Sequence, residues 1–252
     1  MINLFEISSS VIKFTKETFF GKSFRYILFI LFGLPFPLLQ IINKIDIQGL
    51  LLHWETIPWV QVFPLICIGI VFSFFLSGYS VRILRGGNNP PDFDQWNLLF
   101  FEGIKRDIVL IVWFLPAIIF AFLLVLTSIK IVEIENFLIL IPIVIISFII
   151  GEIFSAIGSI RYARTGSIVE GLRYTEIIKI VRKIGWKNYL LALIFLAVVA
   201  GVFDIFQRLF SFLGITLTGI SFAGGVVYIF LNPFLSVYGD RYLTLIYDFI
   251  DD

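Results

Sequence analysis

Apolar residues in this chain gather in long runs, and charged residues collect between them. The runs lie at 24–43, 57–78, 107–129, 137–160, 188–206 and 215–238. About 20 helical residues at ~1.5 Å each cross the hydrocarbon of a bilayer. The pattern therefore predicts an all-α integral membrane protein with about six transmembrane helices, folded as a single polytopic membrane domain over residues 1–252. Pro35, Pro37, Pro58, Pro64, Pro116, Pro142 and Pro233 fall inside or at the edges of the runs. Proline removes a backbone donor and kinks a helix, and neighbouring helices can satisfy the freed carbonyls.

A second period appears between the runs. At 100° per residue, Ile177, Ile178, Ile180, Val181 and Ile184 share one arc, and Glu176, Lys179, Arg182 and Lys183 take the other. Leu4, Ile7, Val11 and Phe14 likewise oppose Glu6, Ser10, Lys13 and Glu17. Pro90 and Pro91 stop any helix arriving from upstream. Asp92 can then cap a new helix, with Gln95 at the capping-box position and a stripe of Phe93, Trp96, Phe100 and Ile104. Three amphipathic interfacial helices are expected, lying at the headgroup boundary.

Each of the three precedes a glycine, a nearby lysine and a span. The glycines are Gly21, Gly103 and Gly185, 82 residues apart in both steps, and the lysines are Lys22, Lys105 and Lys187. The glycines are expected to turn the chain from lying flat to crossing. An arginine closes every second span: Arg82, Arg161 and Arg241, spaced by 79 and 80. A fixed period marks a repeated unit, here an interfacial helix plus two spans over 3–82, 92–161 and 167–241. Chance recurrence of Gly and Lys at membrane boundaries is the alternative. Each unit holds an even number of spans, so the copies share one orientation, unlike inverted transporter repeats.

Charge placement sets the topology. Sixteen of the nineteen Lys and Arg fall in the N-terminal segment, the second and fourth connections and the tail; the other side holds Lys44, Lys130 and Arg208. The positive-inside bias puts both termini in the cytoplasm of a cell-membrane protein. The first run, from near Phe24, is too long for a signal h-region, so no cleavable signal peptide is expected. At 59% hydrophobic and 15% charged, the composition fits membrane residence. The net charge of +1 gives no basis for a nucleic-acid partner. The expected partner is the bilayer itself, through Lys179, Arg182 and Lys183 against anionic headgroups; other membrane subunits remain open.

Candidate chemistry is sparse. His53, the single histidine, has only Glu55 near it, too few ligands for zinc. Cys67 sits in an apolar run without a base and reads as an inert buried thiol. No nucleotide loop, metal cluster or nucleophile motif appears, so no catalytic, metal or cofactor-binding residue is assigned. Gly151-x-x-x-Ser155, Ser155-x-x-x-Ser159 with Gly158, and Ala197-x-x-x-Gly201 mark narrow helix contacts, as do Gly219, Gly224 and Gly225. Asp204 and Arg208 suit an i,i+4 pair. Glu152 is the most informative acid. Nine residues before Arg161, about 13 Å along a helix, its carboxylate lies inside the fourth span. There it is protonated, pairs with Arg161 or a basic residue from another repeat, or serves an ion or proton path; pairing is the favoured reading.

Gly78-Tyr79-Ser80-Val81-Arg82, Pro91-Asp92-Phe93-Asp94-Gln95-Trp96 and Phe101-Glu102-Gly103-Ile104-Lys105 together resemble an uncharacterised family of multi-pass membrane proteins. That family is found mainly in archaea and is filed as a domain of unknown function. Arg161-Tyr162-Ala163 and the closing Tyr238 and Arg241 are compatible with it. The family is distantly similar to the membrane portion of some glycerophosphodiester phosphodiesterases, which implies lipid or envelope physiology. Their catalytic domain has no counterpart here. Three functions stay open: a non-catalytic membrane-organising or accessory protein, the favoured one; a transporter or channel using Glu152; and, least supported, an enzyme acting on lipid.

Overall fold

The computed structural model describes residues 4–35, 38, 59–126, 134–218 and 223–249. Within them the chain forms α1 (Leu4–Phe19), α2 (Ser23–Gly33), α3 (Trp59–Leu84), α4 (Trp96–Leu126), α5 (Ile134–Thr165), α6 (Ile168–Leu172), α7 (Tyr174–Ile184), α8 (Trp186–Thr218) and α9 (Ala223–Asp248), and no strand. Four stretches are long and apolar enough to cross a membrane: Val62–Leu84, Trp96–Leu126, Ile139–Thr165 and Trp186–Phe210. The 31 residues of α4 extend about 46 Å, beyond the ~30 Å of hydrocarbon. α2 is a shorter apolar helix. Pro64, Pro116, Pro142 and Pro233 lie inside α3, α4, α5 and α9, which continue past them. Pro37 and Pro58 lie outside the described residues.

Packing is concentrated at one end, where α3, α5 and α9 finish and α4 and α8 begin. Tyr79, Ile83 and Leu84 of α3, Ile157, Ile160 and Tyr162 of α5, and Tyr242 and Ile246 of α9 are buried there. The last turns of α9 are a wall common to the three apolar clusters: Tyr238, Tyr242 and Ile246 in one, Val237 in the second, Leu243 and Tyr247 against the third. Towards the other end the same helices expose Phe63, Ile119, Phe122, Ile146, Phe148 and Val202. So large an apolar exterior suits hydrocarbon rather than water.

α3 and α4 meet backbone to backbone. A Cβ on Gly78 would lie 1.9 Å from the Leu99 carbonyl oxygen, and one on Gly103 would lie 1.8 Å from that of Phe74. This corrects the expectation for Gly103. Gly21 (φ +74°) and Gly185 (φ +88°) do separate α1 from α2 and α7 from α8. Gly103 instead sits within α4, without a positive φ, because the crossing with α3 needs its missing side chain while the helix runs on. No separate interfacial helix therefore precedes Gly103. The stripe expected there packs on protein: Phe93 stacks on Tyr79 at 4.4 Å, and Trp96 and Phe100 meet Phe75.

The capping expectation fails for a related reason. α4 starts at Trp96, Asp92 is drawn to Arg25, and Gln95 takes φ +49°, outside the usual range for a side-chain-bearing residue. Elsewhere the amphipathic faces hold: Val11 and Phe14 of α1, and Ile177, Ile180, Val181 and Ile184 of α7, are buried. These faces are spent on the bundle, so contact of α7 with lipid would depend on its charges.

The narrow face of α5 is also used. Ser155 and Ser159 are buried, a Cβ on Gly151 would press into the Phe114 ring at 2.8 Å, and one on Gly158 would lie 2.6 Å from the Gly171 carbonyl oxygen. Gly201 departs from expectation, with nothing within 4 Å of its Cβ position; Gly219 lies outside the described residues. Gly103→Ala and Gly78→Ala should each cost about 3 kcal/mol or more, since neither opposing backbone can yield. Gly201→Ala should be neutral or stabilising by up to about 1 kcal/mol, through helix propensity. Thermal melting in detergent checks all three; equal losses would refute the crossing.

Candidate functional site at the basic end of the bundle

The residues that close α3 and α5 reach forward along the chain. Arg82 donates to the carbonyl oxygens of Asp92 (2.7 Å) and Asp94 (2.8 Å) and pairs with the Asp94 carboxylate. Arg161 donates to the carbonyl oxygen of Glu170 (3.0 Å) and pairs with that residue's carboxylate. Each arginine thus ties the connection that follows it back onto its own helix. Glu170 is also held by Arg173 at 2.7 Å. Arg241 uses the same reach differently. It donates to the Gly87 carbonyl oxygen at 2.7 Å and lies 4.7 Å over the Phe14 ring, joining α9 to the connection between α3 and α4 and to α1.

Further arginines complete the layer. Arg25 pairs with Asp92, and Arg164 pairs with Asp248 beside the Tyr247 ring. Arg85 pairs with Glu102 and also donates to the Ala163 carbonyl oxygen at 3.1 Å. At the centre, Arg106 of α4 reaches Asp240 of α9 at 3.4 Å, with side chains only 17% and 10% exposed. A buried charge of either sign is costly without its counter-charge, so these contacts are conditions of burial. A planar five-donor guanidinium can serve a carbonyl and a carboxylate at once, which an ammonium does poorly.

The lysines behave oppositely. Eight of the ten arginines are in ion pairs, and Arg241 binds a carbonyl. Of the seven described lysines only Lys179 is paired, to Glu176 at 2.8 Å; that bond holds the half-exposed Glu176 carboxyl below the usual carboxylate range. Lys13, Lys16, Lys22, Lys105, Lys183 and Lys187, with Arg182, are exposed and have no ion-pair partner among the described residues. The candidate residues of α7 thus present Lys179 paired within its helix, and Arg182 and Lys183 unpaired.

Glu152 projects from the exposed side of α5. Its expected partner is absent, because Arg161 is committed to Glu170, and Glu152 has no ion pair among the described residues. Asp204 and Arg208 do pair, at 2.7 Å. Cys67 is exposed on α3 rather than buried, since the outer half of that helix packs little. His53 lies outside the described residues. Among the described residues no group of three His, Cys, Asp or Glu could hold a metal. The arginine network is a signal the sequence reading did not use. The acids that serve Arg82 and Arg161 follow them by nine to twelve residues, so the clamps could have been read from spacing.

The arrangement defines an all-helical protein with membrane-length apolar helices and a charged, internally clamped end. Residues 62–232 match the family described as "Protein of unknown function (DUF4013)", and the chain belongs to that family. No curated protein and no solved structure matches it.

Arg161→Lys and Arg82→Lys should each lower stability by about 1.5–3 kcal/mol, since a charged bond to a carbonyl is lost while the acid stays. Arg208→Lys, on an exposed pair, should stay within about 0.5 kcal/mol. Chemical denaturation of the three variants in detergent compares them; similar losses would contradict the clamp.

Proposed function

We propose that the chain is a non-catalytic multi-pass membrane protein that organises the membrane or serves as an accessory subunit, engaging the anionic cytoplasmic lipid surface. The observation that carries this is the split between clamped arginines and seven exposed cations at one end that have no ion-pair partner among the described residues. Each cation near a charged membrane surface contributes about 1 kcal/mol of attraction. Their carriers are fixed to the bundle by buried apolar faces, so the charges are presented without the entropy cost of ordering a loose segment.

Six spans fit this reading: α3, α4, α5, α8 and α9, with a first at 24–43 of which residues 36, 37 and 39–43 lie outside the described residues, both termini being cytoplasmic. A threefold unit is supported by the turns at Gly21 and Gly185 and by the matching forward reach of Arg82 and Arg161. Its middle copy would have merged its interfacial helix into α4. Reporter fusions at the two termini should both read cytoplasmic, and an external reading at either end would exclude six spans. Spin-labelled lipids should show the reconstituted protein selecting phosphatidylglycerol over phosphatidylcholine. That selectivity should fall at high salt and in Arg182→Gln/Lys183→Gln; salt-independent selectivity would remove the surface role.

Transport is the second reading, favoured by the lack of an ion-pair partner for Glu152 among the described residues. With no buried pair to break, Glu152→Gln should shift stability by no more than about 0.5 kcal/mol. Its effect on solute flux in proteoliposomes separates the readings: unchanged flux supports the accessory role, and abolished flux establishes transport.

A further inference from the structure

A cleft of about 370 Å³ opens between α1, α8 and α9. Its size falls within the roughly 300–1,000 Å³ of small-molecule sites. Ile12, Phe20, Val199, Phe203 and Phe234 form most of its wall. The three hydroxyls among the described lining residues are already spent: Ser8 and Tyr238 bond each other at 2.8 Å, and Thr15 donates to the Val11 carbonyl oxygen at 2.9 Å. The wall therefore offers a ligand little besides hydrocarbon contact. The exception is Lys16, which lines the cleft, is exposed and has no ion-pair partner among the described residues. Lys13, one turn away and also exposed, adds to the field, while Glu17 beside Lys16 offsets part of it.

α1 stands at the basic end, since its Phe14 lies beneath Arg241. Lys16 is thus placed with the charges that the proposed function sets at the headgroup boundary, and the aromatic wall continues along the apolar flanks of α8 and α9. A small polar metabolite would leave its hydrogen-bonding groups unmet in such a wall. A second protein helix would have to displace or straddle α1, whose Val11, Phe14 and Phe19 are locked in the core. A single chain with a negative head meets neither obstacle.

We infer that this cleft is a specific binding site for one anionic phospholipid of the surrounding bilayer, an acyl chain between Phe20, Val199 and Phe203 and the phosphate on Lys16. The inference rests on the proposed lipid-surface role and deepens it, from a diffuse attraction to a single site. Phospholipid bound there would fasten α1 to α8.

Native mass spectrometry of the full chain in detergent, titrated with phosphatidylglycerol and with phosphatidylcholine of the same chains, reads the site. One tight phosphatidylglycerol adduct is expected, weakened about fivefold in Lys16→Gln, the loss of one charge contact. Val199→Trp, which fills the cleft, should remove the adduct while leaving helicity intact. Arg182→Gln/Lys183→Gln should leave that adduct in place and reduce only the weaker, later ones. A tight adduct that survives both Lys16→Gln and Val199→Trp but disappears in Arg182→Gln/Lys183→Gln would overturn the cleft and keep the surface role. Equal binding of the two lipids by the unmodified chain would overturn both. Were Val199→Trp to misfold, Lys16→Gln, at an exposed position, still decides: an unchanged affinity refutes the site.

Discussion

The structure depends on how arginine is satisfied where helices end. Arg82 and Arg161 sit at the point where an apolar helix emerges from the packed end and the chain must turn back. Each holds a carbonyl and a carboxylate of the connection that follows. The guanidinium thereby satisfies backbone groups at a helix boundary and neutralises an acid in one contact. With the connections tied down, α4 can approach α3 until Gly78 and Gly103 touch backbone, and α6 can lie against Gly158. The close glycine contacts and the arginine clamps are one construction.

That construction separates the charges by role. Most guanidinium groups are spent on contacts within the fold, Arg182 and Arg208 excepted, and the described ammonium groups are left on its surface. The chemistry explains the division: a forked, weakly hydrated cation suits partly buried pairs, and a compact, strongly hydrated one suits an aqueous boundary. A net charge of +1 conceals this, because seven acids are paired with arginines while the described lysines stay exposed. Among the described residues, the halves of the helices away from that end carry little such network and little packing, as expected where lipid removes the hydrophobic drive for helix association.

Much of this was legible in the sequence. The apolar runs located α3 and α5 closely and the middles of α4, α8 and α9, whose helices run well past or start well away from the predicted ends; angular periodicity found the buried faces of α1 and α7, because both signals are local. Gly21 and Gly185 were read correctly as turns. Gly103 was not, since a glycine that turns a chain and one that admits another backbone look alike until the opposing helix is known. The partner of Glu152 was misjudged for the same reason. Arg161 was near in sequence, but an acid in the next connection was nearer in space. Asp92 had the right residue type for a cap and was taken by Arg25, 67 residues away.

The central claim, that arginines clamp the fold and lysines face the boundary, can be tested by chemical protection in native membranes. Inside-out vesicles would be treated with a membrane-impermeant amine reagent and, separately, with an arginine-selective dicarbonyl, and modified sites read by mass spectrometry. Lys13, Lys22, Lys105, Lys183 and Lys187 should label readily, together with Arg182. Arg82, Arg161 and Arg241 should stay protected until the protein is unfolded. Comparable labelling of these three arginines and of Arg182 in the folded protein would contradict the account.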